Sequence, residues 1–80
     1  MRILANDLGK TKSLACIYDT ETCRAEFQKI PTGVPAIRYL IAARVPSRVV
    51  IEICPSAGWV GDLVLSGGVE LQIANTAAPA

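Results

Sequence analysis

Residues 48–56, RVVIEICPS, are the stretch of sequence that decides the fold. The run from 48 to 53 is apolar on both faces except for Glu52, the pattern of a central parallel strand covered on both sides. Pro55 and Ser56 follow as a helix start, with Ser56 in the N-cap position. We therefore predict a strand at the centre of the sheet, followed by a helix that ends at residues 66–68, SGG.

Before this strand, the sequence predicts three strands and a helix. Residues 2–6 form a short apolar strand, and the turn DLGKTK leads into a second strand at 13–18, as in a hairpin. Residues 24–30 alternate as a strand exposed on one side. Thr32 can cap a helix that ends near Arg44, in which apolar residues recur at helical spacing.

Residues 69–73 alternate as a last strand, so the predicted order is β-β-β-α-β-α-β. Crossovers of this kind imply parallel strands with right-handed connections. We expect an α/β domain with a mixed sheet over residues 1–75, and an unstructured tail at 76–80. Trp59, Val60 and Leu63 are expected to pack inward from the second helix.

Composition excludes several classes of function. The chain has 80 residues, 51% of them hydrophobic, and a formal charge of +1, so its overall charge gives no argument for nucleic-acid binding. The three cysteines form no C-x-x-C pair and there is no histidine, which argues against zinc or a disulfide framework. Cys16 and Cys54 are expected to be buried, and Cys23 exposed. The start of the chain lacks a signal-peptide core, so we expect a cytoplasmic protein that does not enter a membrane.

Two carboxylates are the candidate site. Asp7 ends the first strand and Glu52 ends the central one, and neighbouring parallel strands would bring these ends to the same edge of the sheet. A carboxylate at the end of a buried strand is costly to desolvate unless a positive group meets it. Two close carboxylates favour a hard cation such as Mg²⁺ or Mn²⁺, which can activate water or a hydroxyl for phosphodiester cleavage. Lys10 and Lys12 are expected beside this site.

Simpler interpretations exist for each acidic residue. Asp7 before a glycine is typical of a residue that caps a turn, and Glu52 could be paired with a nearby arginine or lysine. Asp62 and Glu70 fit solvated helix and edge-strand positions. The charge near the end of the most apolar strand favours the metal hypothesis for Glu52.

These residues resemble the N-terminal RuvC-like domain of the DEDD transposases, the bacterial insertion-sequence family that includes the pilin-inversion recombinases. The resemblance runs from MRILA, DLGK and YDTET through RVVIEICPSAGWV and DLV to VELQIANT. It implies a ribonuclease H-like (RuvC-like) fold. In the family, four acidic residues in the order Asp, Glu, Asp, Asp bind the divalent metals that cut DNA, and Asp7 and Glu52 match the first two.

The resemblance also implies what lies outside these residues. The other two acidic residues belong to a segment downstream of the position of Asn75, as does the domain that carries a serine implicated in strand exchange. We therefore expect the front part of a transposase catalytic domain, from a truncated or decaying gene copy, incomplete at its C-terminal side and inactive alone. The implied partners are DNA and, in the family, a structured guide RNA.

Two departures from the family pattern stand out. Asn6 lies where the strand would ordinarily carry a branched apolar residue, and Cys23 replaces the glycine usual after DTET. A buried asparagine without partners could cost roughly 1–3 kcal/mol.

Two other functions stay open at this point. Actin-like ATPases and sugar kinases use an Asp, Gly and Thr/Ser turn to hold phosphate, as DLGKTKS could, but the second phosphate-binding turn of those proteins has no counterpart here. The other is a non-catalytic module that binds a full-length transposase through a surface left exposed.

Overall fold

The computed structural model describes residues 1–74, and the tail predicted at 76–80 lies outside this part. The elements are β1 (Arg2–Leu8), β2 (Lys12–Asp19), β3 (Arg24–Pro31), α1 (Val34–Arg44), β4 (Arg48–Glu52), α2 (Ala57–Ser66) and β5 (Glu70–Ala74). The predicted element order is confirmed.

The strands form one mixed sheet in the order β3-β2-β1-β4-β5. β1, β2 and β3 make an antiparallel meander, which confirms the predicted hairpin. β4 is parallel to both of its neighbours, β1 and β5, as the helical crossovers require. β1 and β4 are therefore central strands that run side by side in the same direction.

Both helices pack on one face of the sheet. The core between them is built from alternate strand residues and the inward stripes of the helices: Leu4, Ala15, Ile17, Ile30, Ile37, Leu40, Val49, Ile51, Val60 and Val64. Val60 is fully buried, while Trp59 and Leu63 pack against the core and are partly exposed. The expected inward side of α2 is confirmed.

The other face of the sheet, the open face, is uncovered by any helix of residues 1–74. By strand alternation it carries Ile3, Ala5, Asp7, Leu14, Cys16, Tyr18, Phe27, Lys29, Val50 and Glu52. Phe27 is 65% exposed and Leu14 39% exposed. The expectation that β4 is covered on both sides is therefore wrong for the described part of the chain. Val50 lies half-buried on the open face, while Val49 and Ile51 are fully buried on the other.

The helix starts differ in part from the prediction. The N-cap of α1 is Gly33, not Thr32, and no side chain caps this end. The Thr32 hydroxyl shares a hydrogen bond with the Ser13 hydroxyl, and so ties the start of α1 to β2. Ser56 is the N-cap residue of α2, as predicted, but its side chain makes no capping hydrogen bond.

None of the helices within residues 1–74 has the length and apolar character needed to cross a membrane.

Candidate metal centre

Asp7 and Glu52 come to the same edge of the sheet through the pairing of β1 with β4. The parallel register matches Ala5 with Val50 and Asn6 with Ile51, so its continuation by one residue places Asp7 beside Glu52. Adjacent strands are about 4.8 Å apart, which sets the separation of the two backbones. Because Ala5 and Val50 lie on the open face, alternation puts both carboxylates on that face too.

Both carboxylates are exposed to solvent, although each follows a buried residue on its strand. The open face leaves both carboxylates in contact with water, so the cost of desolvation considered above does not apply to them. Two carboxylates that lie close together repel in general, and a cation bound between them would relieve that repulsion. Within residues 1–74, neither carboxylate is part of an ion pair, so the salt-bridge interpretation of Glu52 is not supported there.

The two carboxylates border one concavity of about 280 Å³. Its other walls come from the central strands, from the neighbouring meander and from the end of β5: Ala5, Asn6, Leu14, Cys16, Phe27, Val50, Ile51 and Ala74. Most of these wall residues are apolar, and Asn6 is the polar exception besides the two carboxylates and Cys16.

The donor set fits a hard cation that keeps part of its hydration shell. Mg²⁺ typically binds through one or two carboxylates, with water and substrate phosphates as its other ligands. In residues 1–74, no group of three or more His, Cys, Asp or Glu side chains could hold a metal. If a cation bound at this edge, Asp7 and Glu52 would be its two anionic protein ligands among the described residues.

The turn between β1 and β2 places further groups beside Asp7. Gly9 lies so near the Lys12 carbonyl oxygen that a Cβ atom could not fit there. A second concavity of about 210 Å³ is lined by Asp7, Gly9, Lys12, Ser13, Leu14 and Lys29. Lys12 thus lies beside the site, as predicted. Lys10 lines a separate concavity with Pro55 and Ser56 instead.

Lys29 is a neighbour of the site that sequence reasoning missed. Asp7 pairs with Leu14 across β1 and β2, and Leu14 pairs with Lys29 across β2 and β3. The alternation of β3 predicts which face of the sheet Lys29 lies on. Only the registers of β1 with β2 and of β2 with β3 show that Lys29 lies in the same cross-strand row as Asp7.

The remaining candidates have structural roles or none at this site. Glu70 is paired with Arg48, whose Nε lies 3.3 Å from Glu70 Oε2, and Asp62 is exposed on α2. Cys23 is exposed, as expected, whereas Cys16 and Cys54 are half-buried and not fully buried. The turn before β3 holds Cys23 at φ = 56°, a left-handed conformation that explains why glycine suits this position.

The mixed five-stranded sheet and its two helices give the chain a RuvC-like fold. The structure is similar to a structure of RuvC from Thermus thermophilus, with a TM-score of 0.68 and 14% sequence identity. The match covers 94% of this chain and 62% of the RuvC chain, so this chain spans less than two thirds of that protein. At this identity the likeness shows the fold.

A comparison with protein-family models found no match to the sequence, and neither did a comparison with curated proteins. The resemblance to the DEDD transposases therefore stays a prediction from the residues quoted above.

Proposed function

We propose that Asp7 and Glu52 bind a divalent cation, Mg²⁺ or Mn²⁺, and that they are part of the DNA-cleaving site of an insertion-sequence transposase. One observation carries the proposal: two carboxylates at the ends of adjacent parallel strands share one concavity of a RuvC-like fold. When bound, the cation would stabilise negative charge on a phosphodiester and lower the pKa of an attacking water or hydroxyl. The two side chains would hold it at the edge of the sheet.

Two carboxylates alone are expected to give an incomplete site. Metal-dependent phosphodiester cleavage commonly uses two ions about 3.5–4 Å apart, which require more anionic ligands than these. The resemblance to the transposases places two more carboxylates downstream. We therefore propose that residues 1–80 supply half of the metal ligands of a transposase and do not cut DNA by themselves. DNA is the partner of the intact activity, and a guide RNA enters the proposal only through the family resemblance.

Calorimetric titration with MnCl₂ tests the metal site. The wild-type chain should bind one Mn²⁺ per chain, weakly, and Asp7→Asn or Glu52→Gln should abolish the binding heat. Asp62→Asn is the matched control, since it removes one exposed carboxylate from α2 and should change nothing. Equal loss of heat in all three variants would contradict a specific site. Unchanged binding in both site variants would contradict it as well.

A nicking assay with Mg²⁺ and supercoiled DNA tests the second statement. No nicking is expected from the purified chain. Nicking that Asp7→Ala abolishes would contradict the proposal that the site is incomplete.

The open face favours a second function, that of a module that binds a full-length transposase. Phe27 and Leu14 are large apolar side chains exposed on this face, and such surfaces often mark protein interfaces. Co-purification of the tagged chain with a full-length homologue is the test. Loss of the partner in Phe27→Ser, with retention in the control Tyr39→Ser on α1, would support this function. Failure of the wild-type chain to co-purify would refute it.

A further inference from the structure

Two lysines lie next to Asp7 on the open face, on the side away from Glu52. Lys12 begins β2, and Lys29 lies on β3 in the cross-strand row that starts at Asp7. Both are exposed and both line the 210 Å³ concavity that Asp7 borders. The open face thus has carboxylates at the ends of β1 and β4 and ammonium groups on β2 and β3.

The spacing suits an extended polyanion. Two strand spacings separate β1 from β3, so the backbone of Lys29 is about 10 Å from that of Asp7. Nucleotides of one DNA strand advance about 3.4 Å each along the duplex axis, so this gap corresponds to roughly three nucleotides. A phosphate held at Asp7 and Glu52 through a cation would have neighbouring phosphates within reach of the lysine side chains.

Neither lysine forms an ion pair within residues 1–74, although both line the same concavity as Asp7. The ion pairs of this part of the chain join Arg44 to Glu26, Arg48 to Glu70, and the N-terminal amine to Glu21. A lysine on an edge strand also discourages pairing with another chain, which is a sufficient reason for Lys29 alone. That reason does not explain why Lys12, which is not on the edge strand, lines the same concavity.

We propose that Lys12 and Lys29 are positioning residues that bind the DNA backbone on the β3 side of the metal site. This proposal rests on the proposed function, because it assumes that the cation at Asp7 and Glu52 holds a DNA strand. The positions of the two lysines are considered relative to that DNA strand. Neither lysine reads base sequence in this role, since ammonium groups bound to phosphates do not distinguish bases. The two lysines would instead fix the direction in which a DNA strand crosses the open face.

Fluorescence anisotropy across a KCl series tests the proposal, with a short fluorescein-labelled duplex of random sequence as the probe. For the wild-type chain, the logarithm of the binding constant should fall linearly with the logarithm of the salt concentration. Removal of two phosphate contacts in Lys12→Ala/Lys29→Ala should reduce the slope by about 1.8. Lys12→Arg/Lys29→Arg should restore it.

The matched control is Arg24→Ala/Arg38→Ala. Both arginines are exposed and lie off the open face, and the double change lowers the formal charge from +1 by the same two units. The control should keep the wild-type slope. An equal fall in slope for both double variants would show a general charge effect and overturn the proposal, as would a wild-type slope in the lysine variant.

The test separates this proposal from the one on which it rests. If the wild-type chain binds Mn²⁺ at Asp7 and Glu52 but shows no salt-dependent DNA binding, the lysine proposal is overturned and the metal site stands. If Mn²⁺ binding is absent while the lysine variants change the salt slope as expected, the DNA contact stands and the metal site is overturned.

Discussion

Replacement of Asn6 by valine should stabilise the protein, because Asn6 is a polar residue enclosed by the apolar core. Asn6 is 4% exposed, and its neighbours across the sheet, Ala15 and Ile51, are fully buried. Neither the Nδ2 nor the Oδ1 atom of Asn6 has a hydrogen-bond partner within residues 1–74. Both atoms therefore lose their bonds to water on folding and gain none in return.

The gain can be estimated from this loss. An unsatisfied buried polar group costs about 1–3 kcal/mol. Valine has one side-chain heavy atom fewer than asparagine, so overpacking is not expected, and its branched side chain suits a strand. We expect the free energy of unfolding to rise by about 1–3 kcal/mol, which corresponds to roughly 5–20 °C in melting temperature for a domain of this size.

Urea denaturation followed by circular dichroism is the assay. The midpoint for Asn6→Val should rise while the slope of unfolding free energy against urea stays constant, which indicates a change in stability alone. Ala5→Val is the matched control, because it adds the same branched side chain on the open face of the same strand without removal of a polar group. The control should change stability by less than about 0.5 kcal/mol. A midpoint for Asn6→Val at or below the wild-type value would refute the reasoning and show that the Asn6 amide is satisfied.

Three further predictions follow from the backbone and from one carboxylate. Val45→Gly should raise the unfolding free energy by about 0.5–1 kcal/mol in the same urea assay. The reason is that Val45 ends α1 at φ = 47°, a left-handed conformation that is unfavourable for a branched residue. A loss of stability would contradict this prediction. Gly9→Ala should cost about 1–3 kcal/mol, since the added Cβ would collide with the Lys12 carbonyl oxygen, and an unchanged midpoint would show that the turn adjusts freely. The backbone N–H of Glu21 donates a 2.9 Å hydrogen bond to Asp19 and lowers the pKa of that carboxyl below 3.8. Asp19→Asn should therefore lower the midpoint at pH 7, and the difference should shrink as the pH falls below 3.8 through the lowered pKa; a difference independent of pH would contradict it.

The order of elements could be predicted because the local signals are strong. The short apolar run around Val49 and Ile51, rich in branched residues, favoured a central strand, and Ser56 and Gly67 mark the ends of α2. The prediction that Asp7 and Glu52 lie close together followed from one assumption, that the first strand and the central strand are parallel neighbours. The register of β1 with β4 supports that assumption.

The exposure of the site could not be predicted from the sequence. Alternation tells which residues share a face, but not whether another element covers that face. The central strand was expected to be covered on both sides, yet Glu52 is exposed on its open face. The first turn of α1 differs for a similar reason. Threonine is a residue type that often caps helices, but the Thr32 hydroxyl forms a hydrogen bond with the hydroxyl of Ser13, a residue distant in sequence.

Lys29 escaped the sequence analysis because its relation to Asp7 depends on two registers. A shift of one residue in the pairing of β2 with β3 would turn Lys29 to the helix side of the sheet. Asn6, by contrast, was visible in the sequence as a polar residue in an apolar strand, and its burial agrees with that signal.

Paramagnetic broadening in a two-dimensional ¹⁵N–¹H NMR spectrum tests the central claim most directly. Small amounts of Mn²⁺ should broaden the amide signals around residues 6–8 and 51–53 first, and leave those of α1 unaffected. In Asp7→Asn this localised broadening should disappear, while Asp62→Asn should keep it. Broadening that is scattered over the acidic surface, or that persists around these residues in Asp7→Asn, would contradict a metal site formed by Asp7 and Glu52.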